Sequence, residues 1–427
     1  MILKWATKRD VPDIIKTIYD IWLNKEHGSH EDALEVSEGF SYYYRNFESY
    51  SEKKIVLAIE GNKIIGLAGI LPFPMPNMPN ILAAQLNPVG TIAEYRNKGV
   101  AKACINFLSD YLIKERYHLF TVAGDPGYYP KLGFNQVFRQ YFASLPVQSI
   151  DVIASTDKVK IANIDTIYSI VELFNKAPDY NLFKINRNIE WIERKFTHPE
   201  ILQSITSGKK IPLGTIRLKD TYISFKENTP SGYMIIAGYE NSLTIEEIMG
   251  YDVVAIKSLL IKAKELAFEH GINRITVNHS VPDCLVSMVL TELGANITVS
   301  TLWHLMLKIL NPYEFIKNII GLLEERIKTS QYSRDCVSFI LTIGSINIGI
   351  CVKTSVVNCH IYNDVDVIGK HKLEMSEKSF AKLITGQLSP KELFNLGYIK
   401  AADLKYIDVL TGMFPKHYPY IFETDFN

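Results

Sequence analysis

The segment RNKGVA, residues 96–101, sets two cations and a glycine between an apolar run and a strongly periodic one. Val100, Ala103, Cys104, Phe107, Leu108, Tyr111 and Leu112 recur at the three-and-four spacing that lines one face of a helix, starting near Lys98. The first turn of such a helix has backbone N–H groups without intrahelical partners and the positive end of the macrodipole. An anion belongs there, and the turn suits a pyrophosphate. Gly99 has no Cβ to hold phosphate oxygens off the backbone, and Ala101 adds only a methyl. Arg96 and Lys98 supply charge, while Asn97, Val100 and Lys102 complete the turn. Taken alone, a solvated surface turn would read the same way.

The elements that must position this turn follow from patterning. Residues 2–6 read as a strand, and Asp10 as the cap of a helix whose apolar face is Ile14, Ile15, Ile18, Trp22 and Leu23. Residues 55–60 and 63–71 form a hairpin across Gly61-Asn62, and residues 81–92 make the strand that feeds the turn. Between them LPFPMPNMPN, with its four prolines, cannot pair in a central strand and is expected over the surface. A further strand, 118–123, leads into GDPGYYPKLGF, residues 124–134.

At 427 residues the chain is too long for one ordinary core and suggests two to four domains. Lys plus Arg equals Asp plus Glu at 46 each, so no net field steers it to nucleic acid or an anionic membrane. Five scattered cysteines without a Cys-x-x-Cys pair point to a reducing compartment without disulfides, and Cys359 beside His360 makes only a weak case for zinc. No run of eighteen apolar residues occurs, and a cytoplasmic location is expected.

The two segments 96–101 and 124–134, in this order, resemble the GNAT superfamily of acyl-CoA-dependent N-acetyltransferases. Arg96, Gly99 and Ala101 fill that family's Arg/Gln-x-x-Gly-x-Gly/Ala pattern for the cofactor pyrophosphate, and Tyr129, Gly133 and Phe134 fill its Tyr-x-x-x-Gly-Phe pattern. The resemblance implies acetyl-CoA as co-substrate, no metal, and Tyr129 as general acid. It also implies that the backbone of Val89, Gly90 and Thr91 pairs with the pantetheine arm as another strand would. Gly124 and Asp125 would lie beside that arm. From the residues alone, Gly90 marks either close approach of a ligand or a bulge after Pro88, and Asp125 is equally a turn former before Pro126. A tyrosine near pKa 10 and a thiol near 8.5 are close enough for proton exchange at neutral pH. Tyr128 reads as a packing neighbour.

Residues 151–305 look like a worn copy of 1–150. A helical stretch at 252–270, a strand at 272–279 and a helix at 282–293 ending in Leu-Gly-Ala repeat the order of the first region. Leu290 stands where the first copy has Tyr129, and GYDVVAI opens the helix without a basic turn. Residues 306–427 begin with a helical run at 312–328 and continue with strands at 337–353 and 356–362. Residues 376–399 there resemble the sterol carrier protein type 2 fold. The expected fold class is mixed α/β (α+β): two tandem GNAT-like folds, the second degenerate, then a sterol-carrier-like α+β domain. That order resembles the enhanced intracellular survival (Eis) family.

The Eis resemblance implies that the terminal carboxylate, carried here by Asn427, acts as general base. Glu94 is the second candidate and Asp425 the third. It also implies direct attack in a ternary complex on a small-molecule or lysine amine, and a homo-oligomer. Cys104, on the buried face of its helix, disfavours a thiol carrier. A CoA-sensing or apolar-ligand-binding protein without turnover is the alternative class, suggested by the third region. His27 to His30 (HGSH) and the aromatic run SYYYRNF at 41–47 read as an exposed loop and as packing.

Overall fold

The computed structural model describes residues 1–23, 29–30, 33–34, 36–38, 54–73, 75, 77–152, 157–176, 186–196, 216–278, 284–301, 304–363, 371–421 and 425. The expected readings on His27 and on residues 41–47 lie outside these, as does Asn427. The chain forms two compact units, Met1–Phe138 with Trp303–Pro419, and Arg139–Leu302 with Tyr420–Asn427.

The first unit opens with β1 (Ile2–Trp5), α1 (Val11–Leu23), β2 (Ile55–Glu60), β3 (Lys63–Pro72), β4 (Ala83–Thr91), α2 (Val100–Lys114) and β5 (Leu119–Ala123). The first four strands pair antiparallel in sequence order, β5 joins parallel to β4, and Leu305–Ile309 closes the six-stranded sheet antiparallel to β5. Alternation along β2 sorts its residues to two cores. Val56 and Ala58 pack with Val100, Cys104, Leu108 and Leu112 of α2, while Ile55 and Leu57 pack with Ile14 and Ile18 of α1.

Two local expectations are corrected. Asp10 does not cap α1; it closes a short 3-10 turn, accepting from the Thr7 N–H at 2.8 Å and the Thr7 hydroxyl at 2.7 Å. Nor does the proline-rich segment simply cover the surface. Leu71 and Pro72 pair with Gln85 and Ala84 at the end of β3, the Phe73 N–H donates to the Ala83 carbonyl at 3.0 Å, and Phe73, Met75 and Met78 are buried, so the segment begins in the sheet and turns its apolar residues inward.

The remainder of this unit has a five-stranded sheet built from Cys336–Ile343, Ile346–Lys353, Val356–Tyr362, Lys372–Met375 and Ile399–Ala401. The expected single helix at 312–328 is two, Pro312–Asn318 and Ile320–Thr329. The second unit is a seven-stranded sheet with the helix Val253–Glu269 against it. Arg139–Pro146 pairs there with Arg274–Val277 and Asn296–Thr301. The units therefore depart from cuts at 150 and 305. Strand pairing decides this, and spacing along the chain does not reveal it.

Leu108 has no exposed surface and sits in the core that seats α2. Leu108→Ala is expected to lower the unfolding free energy by about 3 kcal/mol, read as an earlier midpoint in urea denaturation.

Candidate active site

The pairing of β4 with β5 stops halfway. It runs from Ala83 opposite Leu119 to Leu86 opposite Val122, while on its other side β4 stays paired with β3 as far as Thr91. The cause is a bulge: Ala68 faces Val89 but Ile70 faces Leu86, so Asn87 and Pro88 together stand against Gly69. Gly69 accepts this crowding because a Cβ there would lie 2.6 Å from the Asn87 oxygen. Beyond the bulge, β4 has an edge that no described strand covers. The Ile92 N–H donates to Ile65 across the β3 side at 3.1 Å, so alternation turns the N–H and C=O of Val89 and Thr91 to the open side. A Cβ on Gly90 would lie 2.7 Å from Ile21 of α1, so its small size makes room for that helix.

The open edge leads into the basic turn. Asn97 has φ 60° and Gly99 φ 79°, and α2 begins at Val100, where the Ala103 N–H donates to the Gly99 carbonyl at 3.0 Å. A Cβ on Gly99 would meet nothing within 4 Å, so its glycine serves the left-handed backbone. No side chain caps this helix. Its first N–H groups, from Val100, Ala101 and Lys102, are therefore placed for an external anion. Arg96 is less free than its sequence position suggests. Its Nε donates to the Thr91 carbonyl at 3.4 Å and its Nη2 to the Ile21 carbonyl at 3.2 Å, tying the turn to β4 and α1. Lys98 Nζ lies 4.8 Å from the Tyr95 ring centre.

Spacing alone missed Gly66 of β3, although a glycine inside a strand is a signal for close approach. A Cβ there would sit 2.6 Å from Val100 and 3.3 Å from the Thr91 hydroxyl, so this glycine lets the start of α2 press onto the sheet. Thr91 Oγ1, on the same face, is buried without a hydrogen-bond partner.

Tyr129 is buried, in a 3-10 turn that begins with it and runs to Leu132. A Cβ on Gly124 would lie 2.2 Å from its ring, so Gly124 is the floor under the tyrosine. Asp125 forms the turn above: its Oδ1 accepts from the Gly127 N–H at 2.7 Å and its carbonyl from the Tyr129 N–H at 3.2 Å. Gly133, at φ 89°, returns the chain so that Phe134 meets the Tyr129 ring edge-on at 5.8 Å. Burial, with Tyr128 and Asp125 adding, pushes the Tyr129 hydroxyl up to about 12. That departs from the ordinary value near 10. Tyr128 packs edge-on at 5.2 Å and is raised by burial as well.

The three candidate bases fare differently. Glu94 is exposed beside the turn. Asp425 belongs to the second unit and is held at 2.8 Å by Arg187. Asn427 lies outside the described residues. Burial pushes the Cys104 thiol up to about 12, which keeps it from acting as a thiolate. Among the described residues, no group of three or more His, Cys, Asp or Glu side chains could hold a metal, and no helix is long and apolar enough to cross a membrane. In the second unit the helix Val253–Glu269 is capped by Asp252, whose carboxylate accepts from the Ala255 N–H, and Leu290 is buried in the core. An acidic side chain thus caps this helix, whereas the start of α2 has no side-chain cap.

Gly99→Ala is expected to lower the unfolding free energy by about 1 kcal/mol through its left-handed φ, measured by urea denaturation. It is also expected to weaken binding of a pyrophosphate-bearing ligand, measured by calorimetry.

Residues 16–134 match the acetyltransferase (GNAT) family. No curated protein matches the sequence. Solved structures match the whole chain at low identity. A probable N-acyltransferase from Enterococcus faecalis V583 has a TM-score of 0.74 at 14% identity, covering 98% of this chain and 99% of its own. A GCN5-related N-acetyltransferase from Anabaena variabilis has a TM-score of 0.66 at 17% identity, with coverage of 98% and 99%. Eis1 from Mycobacterium abscessus has a TM-score of 0.64 at 8% identity, with coverage of 100% of each chain. These likenesses are to the fold. With the family match over the segment that contains the split strand, the basic turn and Tyr129, the chain carries a GNAT acetyltransferase domain.

Proposed function

We propose that the protein transfers the acetyl group of acetyl-CoA to a primary amine by direct attack, in an Eis-like arrangement of two GNAT-like folds and a sterol-carrier-like domain. The observation that carries this reading is the open edge of β4 running into the uncapped start of α2. Acetyl-CoA supplies a thioester carbonyl and a thiolate leaving group. The outward N–H groups of Val89 and Thr91 and the C=O of Val89 suit its pantetheine amides, and the N–H groups at Val100, Ala101 and Lys102 suit its pyrophosphate.

Tyr129 donates a hydrogen bond to the departing sulfur. A hydroxyl at about 12 is protonated throughout the physiological range. Full proton transfer to a thiolate whose acid is near 8.5 is uphill by about 5 kcal/mol, so stabilisation of the forming charge is the larger part of its work. The acceptor amine must lose its proton first, because a lysine-like amine near 10.4 is almost wholly protonated at pH 7. The carboxylate carried by Asn427 is the preferred base and Glu94 the second. Cys104 takes no covalent part.

Tyr129→Phe is expected to lower kcat roughly 100-fold while leaving CoA binding within about twofold, measured by thiol release against a panel of amines and by calorimetry. An unchanged kcat would remove Tyr129 from the reaction, and CoA binding without acetylation of any amine by the wild type would favour a CoA sensor instead. The rate is expected to rise with pH as amine and base deprotonate, with no decline from Tyr129 below about pH 10. A descending limb near pH 8 that vanishes in Tyr129→Phe would contradict the raised hydroxyl.

A further inference from the structure

The strand Leu305–Ile309 belongs to the first unit and closes its sheet beside β5. Its antiparallel register sets Met306 opposite Val122 and Leu305 opposite Ala123. One step further His304 stands opposite Gly124, whose N–H donates to the His304 carbonyl at 2.7 Å. Opposed residues of an antiparallel pair project from the same face, with Cβ positions about 5 Å apart. At Gly124 that face is occupied, since a Cβ there would lie 2.2 Å from the Tyr129 ring. The His304 side chain therefore leaves the sheet on the face that carries Tyr129, beside the ring.

The neighbours of His304 along its strand lead to the same face. Alternation puts His304, Met306 and Lys308 on one side. Met306 is buried in the core that contains Phe120, Val122, Tyr129 and Phe134, and Lys308 passes under Gly133, where a Cβ would lie 3.5 Å from its Cε. On the far edge of the strand Leu307 exchanges N–H donors with Asn135 at 2.7 and 2.9 Å, so the segment from Gly124 to Asn135 arches over this face from one edge to the other. Met306 and Lys308 lie beneath the arch. His304, about 7 Å along the strand from Met306, stands at its Gly124 end and is half-buried.

Burial lowers the His304 imidazole below the ordinary histidine value, so at pH 7 it is mainly uncharged and able to take a proton. The other titratable groups on the elements packed here are Asp125, Tyr128 and Tyr129 of the arch and Lys308 of the same strand. Burial raises both tyrosines and lowers Lys308.

A primary amine gives up two protons on the way to an amide. The first leaves the ammonium and frees the lone pair. The second leaves nitrogen after it has bonded to the thioester carbon, and its loss commits the adduct to expel the thiolate and not the amine. We propose that His304 takes this second proton: the N–H bond of the adduct breaks, a ring nitrogen of His304 gains the proton, and collapse of the oxyanion breaks the C–S bond and releases the thiolate to which Tyr129 donates. The imidazolium then passes its proton to water. This role rests on the acetyltransferase reading, and the base that takes the first proton is a separate group.

The test compares the full chain with its His304→Gln and His304→Ala variants, using circular dichroism and Tm for folding, calorimetry for CoA, and thiol release at saturating amine for kcat. Both variants are expected to bind CoA within about twofold and to lose roughly 100-fold in kcat at pH 7. Added imidazole is expected to restore part of the rate of His304→Ala and none of that of Tyr129→Phe. The uncharged ring is present above its lowered pKa and lost below it, so as pH falls through that range the wild-type rate is expected to drop with one proton more than that of His304→Gln. An unchanged kcat in both variants, with Tyr129→Phe impaired, overturns the role of His304 and leaves the acetyltransferase reading standing. A lower kcat with neither imidazole rescue nor a changed pH slope makes His304 a packing residue and also overturns it. If the wild type acetylates no amine, both fall. If neither variant folds, the wild-type profile decides, and the absence of the extra proton below about pH 6.5 overturns the proposal.

Discussion

The separation of β4 from β5 after Leu86 is the constraint on which the rest of the site depends. A parallel pair that continued would have satisfied the backbone of Val89 and Thr91 internally and left no place for an extended ligand. The bulge at Asn87 and Pro88 breaks the register, and three small residues make the break tolerable. Gly69 accepts the bulged backbone, Gly90 admits Ile21 of α1, and Gly66 lets Val100 approach the sheet. Each absent side chain is filled by a neighbouring part of the same domain. The open edge is thus a consequence of packing, held from both faces of the sheet.

The same economy shapes the two ends of the site. At the turn, the unsatisfied N–H groups of α2 have no cap because the N-cap is a glycine in a left-handed conformation. The corresponding helix of the second unit begins with Asp252, whose carboxylate accepts from the Ala255 N–H. One helix start is uncapped and the other is closed by a side chain. At the far end, Gly124 gives the Tyr129 ring a floor, and burial keeps its hydroxyl protonated. Basic charge at the turn is partly committed to structure, since Arg96 reaches the carbonyls of Thr91 and Ile21.

Much of this was legible in residue types. The period of α2 shows through because one face is buried against a sheet, and Val100, Cys104, Leu108 and Leu112 are indeed core. The turn is readable because a left-handed φ leaves a glycine as its trace. What long-range pairing decides was not legible. Nothing in the spacing of Leu305–Ile309 says that it closes the sheet beside β5, nor that Arg139–Pro146 pairs in the other unit. Gly90 was visible as an anomaly, but its cause, a side chain of α1, requires the fold. Asp425 looked like a spare carboxylate, and only the packing of the second unit reveals its partner Arg187.

The most direct measurement is amide hydrogen exchange of the intact protein with and without CoA. Slower exchange is predicted at Val89 and Thr91 and at Val100, Ala101 and Lys102, the N–H groups placed for pantetheine and pyrophosphate. Unchanged exchange at these five amides while CoA is bound would contradict the account.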